Sequence, residues 1–234
     1  MSEVSFLQKG KGQDLLCLHG YLSSKEAFAA QVAYFSKFYR VTALDFLGFG
    51  QSGSLFEAFS VGDYAAWLVA CIEALELKKP HVLAHSFGCR VAVKAASEQN
   101  GLFEKIILTG PAGVILNRGF SYRVKVGAYR FFKRICPRFA EKKFGSKEYR
   151  ALSPLMKESY KKIVNEDLRE CARKVTNEVL LVEGTEDNVT TMAEAEAYLQ
   201  AFPNGKLKTI AGGHFAFAEN PVAFNLIAEE FLND

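Results

Sequence analysis

The amino-acid sequence predicts an α/β protein with a doubly wound, mostly parallel sheet. Short apolar runs of four to six residues alternate with helical patterns along most of the chain, which is typical of a parallel sheet covered by helices on both faces. The 234 residues, of which 49% are hydrophobic and 24% charged, suffice for one sizeable apolar core. These observations exclude a mini-protein, a disordered chain, a collagen and a coiled coil.

The predicted strands are apolar nearly throughout, as strands buried on both faces must be. They cover residues 15–19, 40–44, 81–85, 105–109, 178–183 and 206–210. Helical patterns between and after them predict helices over residues 25–37, 61–77, 87–99, 190–202 and 221–232. Pro221 suits the first turn of the last helix, where its missing N–H is not needed.

One segment interrupts this alternation. Residues 117–174 contain 17 Lys and Arg against 6 Asp and Glu, whereas the rest of the chain has 12 against 20. Residues 155–172 within it have a helical pattern. Aromatic residues are interleaved with the basic ones: Tyr122, Tyr129, Phe131, Phe132 and Phe139. The shift in composition predicts a basic, helical cap of residues 113–174, inserted in a core of residues 1–112 and 175–234.

Two absences in the sequence bear on location and cofactors. No apolar run approaches the roughly 18 residues of a membrane-spanning helix, and the N-terminal residues lack the continuous apolar stretch of a secretory signal. We therefore expect a cytoplasmic protein with no membrane span. The five cysteines are scattered and have no histidine at ligand spacing, so we expect reduced thiols and no metal.

A serine lies between the third predicted strand and the helix that follows. In the sequence His85-Ser86-Phe87-Gly88, a strained strand-to-helix turn would project the Ser86 hydroxyl from the edge of the sheet. Gly88 provides a small neighbour where backbones approach closely. Because Ser-x-Gly also occurs at ordinary helix N-termini, Ser86 is a candidate nucleophile only if suitable partners occur elsewhere in the chain.

Chain order identifies those partners. Serine hydrolases of this architecture present nucleophile, acid and base in the order Ser, Asp or Glu, His. His214 is the one histidine that follows every candidate acid. Asp187, just past a predicted strand, is the predicted acid, with Glu186 and Glu183 as alternatives. A serine hydroxyl needs an imidazole to take its proton, and the imidazole needs a carboxylate to fix its tautomer.

Attack by the serine on a carbonyl creates an oxyanion that two backbone donors should bind. Each donor contributes about 3 kcal/mol to lowering the barrier. We expect one to be the N–H of Phe87, directly after the nucleophile. The other is the N–H of Tyr21, in the loop after His19-Gly20, where the glycine allows a close approach.

Five motifs in this order resemble those of the α/β-hydrolase fold superfamily over nearly the whole chain. They are His19-Gly20-Tyr21, residues 45–52, His85-Ser86-Phe87-Gly88, Gly184-Thr185-Glu186-Asp187 and Gly213-His214. Residues 45–52, which begin at Asp45, are interpreted as structural turn chemistry without a catalytic role. The sequence departs from the family pattern at Ala84 in place of glycine, at Cys89, and at Val189-Thr190, where a proline often follows the acid.

The resemblance implies a capped, carboxylesterase-like serine hydrolase that needs no cofactor and cleaves an ester or thioester of a small-molecule acyl substrate through an acyl-enzyme. Because the nucleophile is a serine, the family's haloalkane dehalogenases and epoxide hydrolases, which need a carboxylate nucleophile, are disfavoured. Two alternatives remain: a carbon–carbon bond hydrolase or lyase on the same triad, and a ligand-binding protein with little turnover.

The charge of the cap bears on the substrate. An excess of 11 positive charges in residues 117–174 would raise the concentration of anions near the site. One hypothesis is therefore an anionic substrate, or one carried by an acidic protein such as an acyl carrier protein. The ordinary alternative is that these side chains solubilise a helical surface. Nucleic-acid binding is not expected, since no recognisable motif accompanies the basic stretch.

Overall fold

A parallel sheet forms the centre of the protein. The computed structural model describes residues 4–116 and 152–234. Its strands are β1 (Phe6–Lys9), β2 (Asp14–Leu18), β3 (Arg40–Leu44), β4 (His81–His85), β5 (Lys105–Thr109), β6 (Glu178–Gly184) and β7 (Gly205–Ile210). They lie in the order β1-β3-β2-β4-β5-β6-β7, with β1 antiparallel to β3 and the other neighbouring pairs parallel. The predicted fold class is confirmed.

Helices cover both faces of this sheet. In the described residues they are α1 (Ala29–Phe35), α2 (Val61–Ala74), α3 (Phe87–Glu98), α4 (Pro154–Val164), α5 (Arg169–Ala172), α6 (Met192–Leu199), α7 (Ala216–Glu219) and α8 (Pro221–Asn233). Strand β2 is apolar at successive positions because helices cover both of its faces. Leu16 and Leu18 pack in the core beneath α2 and α3, whereas Leu15 and Cys17 pack on the opposite face beneath α1 and α8.

Apart from shifts of one to three residues at the ends of other elements, the structure differs from the predictions in three places. Strand β1 was not predicted, because all four of its residues are exposed and its sequence has no apolar run. The helix expected over residues 25–37 begins as a 3-10 turn (Lys25–Phe28), and its α-helical part ends at Phe35. The helix expected over residues 155–172 is two helices, α4 and α5. Between them the Asp167 carboxylate accepts hydrogen bonds from the backbone N–H groups of Ile115 and Arg169, which holds the chain out of a helix.

The described part of the predicted cap rests directly on the core. The Ser159 hydroxyl of α4 donates to the carbonyl of Phe59 at 2.6 Å, and the ammonium group of Lys162 donates to the carbonyl of Ala58 at 2.7 Å. Residues 117–151, which include the aromatic residues expected in the cap, lie outside the described residues. The extent of the cap therefore stays a prediction.

The turn after β3 has the structural role that the sequence predicted. The Asp45 carboxylate accepts hydrogen bonds from the backbone N–H groups of Lys25 and Gln51, at 2.7 and 3.0 Å, and pairs with the Lys25 ammonium at 2.7 Å. Burial opposes ionisation of this carboxylate, but the hydrogen bonds outweigh it and lower the pKa of Asp45. The carboxylate thus joins the loops that follow β2 and β3.

The edge strand β7 carries charge along its exposed side. Lys206 and Lys208 are both exposed, and the Lys206 ammonium lies 3.7 Å from the Asp234 carboxylate and 5.8 Å from the centre of the Phe231 ring. Charged side chains on an edge strand disfavour the addition of a strand from another molecule.

Two further observations concern all of the described residues. None of the helices in residues 4–116 and 152–234 is long and apolar enough to cross a lipid bilayer. The cysteines within those residues, namely Cys17, Cys71, Cys89 and Cys171, are free thiols.

Candidate active site

Ser86 lies at the sharp turn between β4 and α3. Its backbone has φ 49° and ψ −106°, a conformation that costs a non-glycine residue about 1–3 kcal/mol. The surrounding backbone holds it there, because the Ser86 N–H donates to the carbonyl of Thr109 at 3.1 Å and the Ser86 carbonyl accepts from the N–H of Cys89 at 3.0 Å. A Cβ at Gly88 would overlap the carbonyl oxygen of Leu18. The turn therefore needs glycine two residues after the serine.

His214 lies in the loop after β7, facing Ser86. The Nε2 atom of His214 is 2.9 Å from Oγ of Ser86. The glycine turn before it is fixed by the backbone N–H of Gly213, which donates to the Glu219 carboxylate at 2.6 Å. Residues 128 positions apart in the chain thus meet at the carboxyl edge of the sheet, where parallel α/β proteins build their sites.

Asp187 lies in the loop after β6 and contacts the other ring nitrogen of His214. One oxygen of its carboxylate, Oδ2, is 2.7 Å from Nδ1 of His214. Since a carboxylate can only accept, Nδ1 carries the proton and Nε2 is left to accept from the Ser86 hydroxyl. Burial opposes ionisation of Asp187, but its hydrogen bonds, first that from His214, outweigh burial and lower the pKa of Asp187 to about 2.

The two alternative acids have other surroundings. Glu186 is exposed, and its backbone N–H donates to the carbonyl of Gly212 at 2.9 Å. Glu183 is fully buried, and neither of its carboxylate oxygens has a hydrogen-bond partner among the described residues. Burial, and then the negative charge of Asp187, raise the pKa of Glu183 to about 8. Of the three acids, Asp187 is the one hydrogen-bonded to the histidine ring.

The residues expected to provide the oxyanion donors line the same cavity as Ser86 and His214. This cavity measures about 620 Å³, and both Tyr21 and Phe87 contribute to its wall. The rings of Tyr21 and Phe87 pack edge to face, with centroids 5.6 Å apart. A Cβ at Gly20 would come within 2.7 Å of the His85 ring, so the loop that carries Tyr21 passes close to the turn at Ser86.

The described wall of the cavity is mainly apolar. Its apolar members are Tyr21, Phe87, Pro111, Ala112, Gly113, Val114, Tyr160, Ile163, Val164, Val189 and Phe215. Arg90 also lines it, and its guanidinium donates to the carbonyls of Ile163 and Glu166 at 3.2 and 2.8 Å, next to the C-terminal end of α4. That placement favours a cation, because the carbonyls of a helix end carry partial negative charge.

Sequence reasoning missed a residue that holds the acid. Thr190 donates to Asp187 twice, from its hydroxyl to Oδ2 at 2.8 Å and from its backbone N–H to Oδ1 at 3.0 Å. The backbone N–H of Val189 adds a third bond at 2.7 Å, which a proline at this position could not make. The signal that could have identified Thr190 is a hydroxyl residue three positions after an aspartate, since aspartate side chains commonly accept hydrogen bonds from nearby groups in turns.

Comparison with known proteins decides the family. A model of the α/β-hydrolase fold matches residues 15–134, which is just over half of the chain. The chain belongs to the α/β-hydrolase family. The resemblance seen in the motifs is therefore confirmed.

The proteins to which this chain is similar are named for different activities. An (E)-2-((N-methylformamido)methylene)succinate hydrolase of Acinetobacter baylyi is 31% identical over 106 residues, which cover 45% of this chain and 40% of that protein. The chain spans about two fifths of the length of such curated relatives.

Two solved structures share the fold over nearly their whole length. An esterase of Exiguobacterium antarcticum has a TM-score of 0.80 at 21% identity, covering 100% of this chain and 96% of that one. A meta-cleavage product hydrolase of Pseudomonas fluorescens has a TM-score of 0.76 at 20% identity, covering 98% and 94%. At these identities the likeness shows the fold alone.

The described residues offer no group of three or more His, Cys, Asp or Glu side chains arranged to hold a metal ion.

Proposed function

We propose that this protein is a serine hydrolase that cleaves a carboxylic ester or thioester through an acyl-enzyme intermediate on Ser86. One observation carries the proposal: a continuous line of hydrogen bonds from Oγ of Ser86 through the His214 ring to the Asp187 carboxylate, with lengths of 2.9 and 2.7 Å. Ser86 and His214 border a cavity that is large enough for a small acyl group.

The proposed reaction has two halves. Oγ of Ser86 attacks the carbonyl carbon while Nε2 of His214 takes the hydroxyl proton. His214 then gives that proton to the departing alcohol or thiol as the carbonyl re-forms, which leaves the acyl group on Ser86. In the second half a water molecule attacks the acyl carbon, His214 again takes and returns the proton, and the carboxylic acid leaves. Asp187 stays ionised throughout and stabilises the imidazolium.

The backbone N–H groups of Tyr21 and Phe87 are the proposed oxyanion donors. Each would lower the barrier by about 3 kcal/mol. The position of Phe87 as the first residue of α3 supports this role, since the dipole of the helix adds positive potential there. Tyr21 is also tied to the cap, because its hydroxyl donates to the carbonyl of Met156 at 3.1 Å.

The substrate is proposed to combine an apolar acyl part with negative charge. The apolar wall of the cavity supports the first feature. The basic composition of residues 117–174 supports the second, as does the substituted succinate in the name of the Acinetobacter relative. An acidic carrier protein would supply the same charge. We expect kcat/KM for an anionic ester to fall with salt and that for its neutral analogue to stay constant. Equal responses of the two esters would contradict an anionic substrate.

Two other activities use the same residues. A carbon–carbon bond hydrolase would need the same serine and histidine, and the fold shared with a meta-cleavage product hydrolase keeps this candidate open. A binding protein with little turnover is less well supported, because Ser86 and His214 lie at hydrogen-bonding distance. Product analysis with acyl and diketone substrates separates these activities.

Covalent labelling tests the proposal directly. We expect a fluorophosphonate to modify Ser86, with the adduct located by peptide mass spectrometry, and a short-chain p-nitrophenyl ester to be hydrolysed. Ser86→Ala should abolish both while leaving the circular dichroism spectrum unchanged. Turnover that survives this substitution, or an adduct on another residue, would refute Ser86 as the nucleophile.

A further inference from the structure

His85 lies at the centre of the site without a part in the proposed reaction. It is the last residue of β4, directly before Ser86, and is 1% exposed. Its ring lies against the His214 ring, with centroids 4.8 Å apart, and against the rings of Phe215 and Phe217 at 4.7 and 4.8 Å. A buried polar side chain at such a position calls for a physical reason.

The contact of His85 with the backbone of His214 provides that reason. Nε2 of His85 is 2.9 Å from the carbonyl oxygen of His214. A carbonyl can only accept, so Nε2 carries the proton and donates it. Nδ1 of His85 is buried and has no hydrogen-bond partner among the described residues. The ring is therefore held as one neutral tautomer.

The charge state of His85 agrees with this geometry. Burial, followed by the neighbouring His214 ring, lowers the pKa of His85 to about 3. The ring thus stays neutral across the pH range in which an esterase would be assayed, and it does not compete with His214 as a base.

The backbone of His214 needs such an anchor. His214 follows Gly212 and Gly213, and glycines leave a loop many accessible conformations. Glu219 and Glu186 bind the glycines of this turn, through the Gly213 N–H and the Gly212 carbonyl. The bond from His85 reaches the residue that carries the base itself.

We propose that His85 is a positioning residue, whose hydrogen bond to the His214 carbonyl holds the His214 ring in line with Ser86. This proposal rests on the proposed function for its catalytic consequence. His85 then links the two sides of the reacting pair, since it precedes the nucleophile in the chain and fixes the backbone of the base. A ring that only filled space would be replaceable by any apolar side chain of similar size.

Three variants distinguish the hydrogen bond from packing. In His85→Gln the side-chain amide can donate from near the position of Nε2, whereas His85→Met has similar bulk and no donor. His81→Met is the matched control. It removes a buried histidine, 4% exposed, from the opposite end of the same strand, where the ring packs against Tyr39 at 5.9 Å.

The kinetic test compares kcat and KM of ester hydrolysis. We expect His85→Met to lower kcat about tenfold with KM within twofold of wild type, because the loss of one hydrogen bond corresponds to roughly that factor. His85→Gln should stay within threefold, and His81→Met should keep both constants. A methionine variant as active as wild type, or a glutamine variant as impaired as the methionine variant, overturns the proposal.

Hydrogen exchange tests the anchor independently of any activity. Peptides covering residues 211–216 should exchange about tenfold faster in His85→Met than in wild type, and at the wild-type rate in His85→Gln and His81→Met. Equal exchange in all four proteins overturns the anchor. A wild-type protein that hydrolyses no ester and leaves Ser86 unlabelled refutes the proposed function, and the exchange rates then decide the anchor alone.

Discussion

Glu183→Gln is the substitution whose effect depends most clearly on pH. Glu183 is fully buried in β6, and neither carboxylate oxygen has a partner in the described part of the chain. Its pKa is raised to about 8, first by burial and then by the negative charge of Asp187, from a usual value of 4.5. At neutral pH the folded protein therefore holds a proton on Glu183 that the unfolded chain has lost.

The sign and size of the effect follow from proton linkage. Between pH 4.5 and pH 8 the folded state binds one more proton at Glu183 than the unfolded state, so its contribution to stability decreases as pH rises. The slope is about 1.4 kcal/mol per pH unit. Glutamine is neutral in both states and has no such slope. The free energy of unfolding of Glu183→Gln should therefore rise, relative to wild type, by about 3.5 kcal/mol from pH 5 to pH 8, somewhat less than the full slope over that range because the slope diminishes near each pKa.

Urea denaturation at pH 5, 6, 7 and 8 measures this difference. Comparing two proteins at each pH cancels the titration of every other group that the substitution leaves unchanged. Glu186→Gln makes the same chemical change at an exposed position three residues away and is the matched control. A flat difference for Glu183→Gln would refute the reasoning, because it would mean that Glu183 is ionised in the folded protein.

Two further predictions concern the acid and the elbow. Thr190→Val removes the hydroxyl that donates to Asp187 at 2.8 Å and should lower kcat for a p-nitrophenyl ester about tenfold. Thr190→Ser retains a hydroxyl and should keep the wild-type kcat. Equal kcat values for the two variants would contradict a role of the Thr190 hydroxyl in holding Asp187. Gly88→Ala would overlap the carbonyl of Leu18 and should lower Tm by roughly 6–12 °C. Gly101→Ala, where φ is 81° but the space is open, should lower Tm by about 3 °C; equal losses would show that close approach is not what requires Gly88.

The central strands could be predicted because burial on both faces leaves a plain signature. Strands β3, β4 and β5 have the predicted bounds, and each is a run of mainly apolar residues. Strand β1 has no such signature, since it is an exposed edge strand that pairs with β3 through backbone groups. The break between α4 and α5 also escaped prediction, because it depends on the Asp167 side chain reaching the backbone N–H of Ile115, a residue 52 positions away.

The candidate site likewise has features that could be predicted from the sequence and features that could not. That Ser86, Asp187 and His214 lie close together could be predicted, because chain order and strand ends restrict where a nucleophile, an acid and a base can lie. Chain order alone did not decide between Asp187 and Glu183. Burial raises the pKa of both carboxyl groups, but hydrogen bonds reverse the shift at Asp187, and those bonds depend on contacts that form only in the fold. The contact of His85 with a carbonyl 129 residues away has no counterpart in the sequence pattern.

The lysines of β7 affect how copies of this protein meet. An unpaired strand can add a strand from another molecule, and repetition of that step gives fibrils. Two molecules meeting edge to edge at β7 would bring Lys206 and Lys208 of each copy together and bury like charges. The positive charges on β7 therefore disfavour pairing between the β7 strands of two copies. This favours a sheet limited to the seven strands of the described part of the chain.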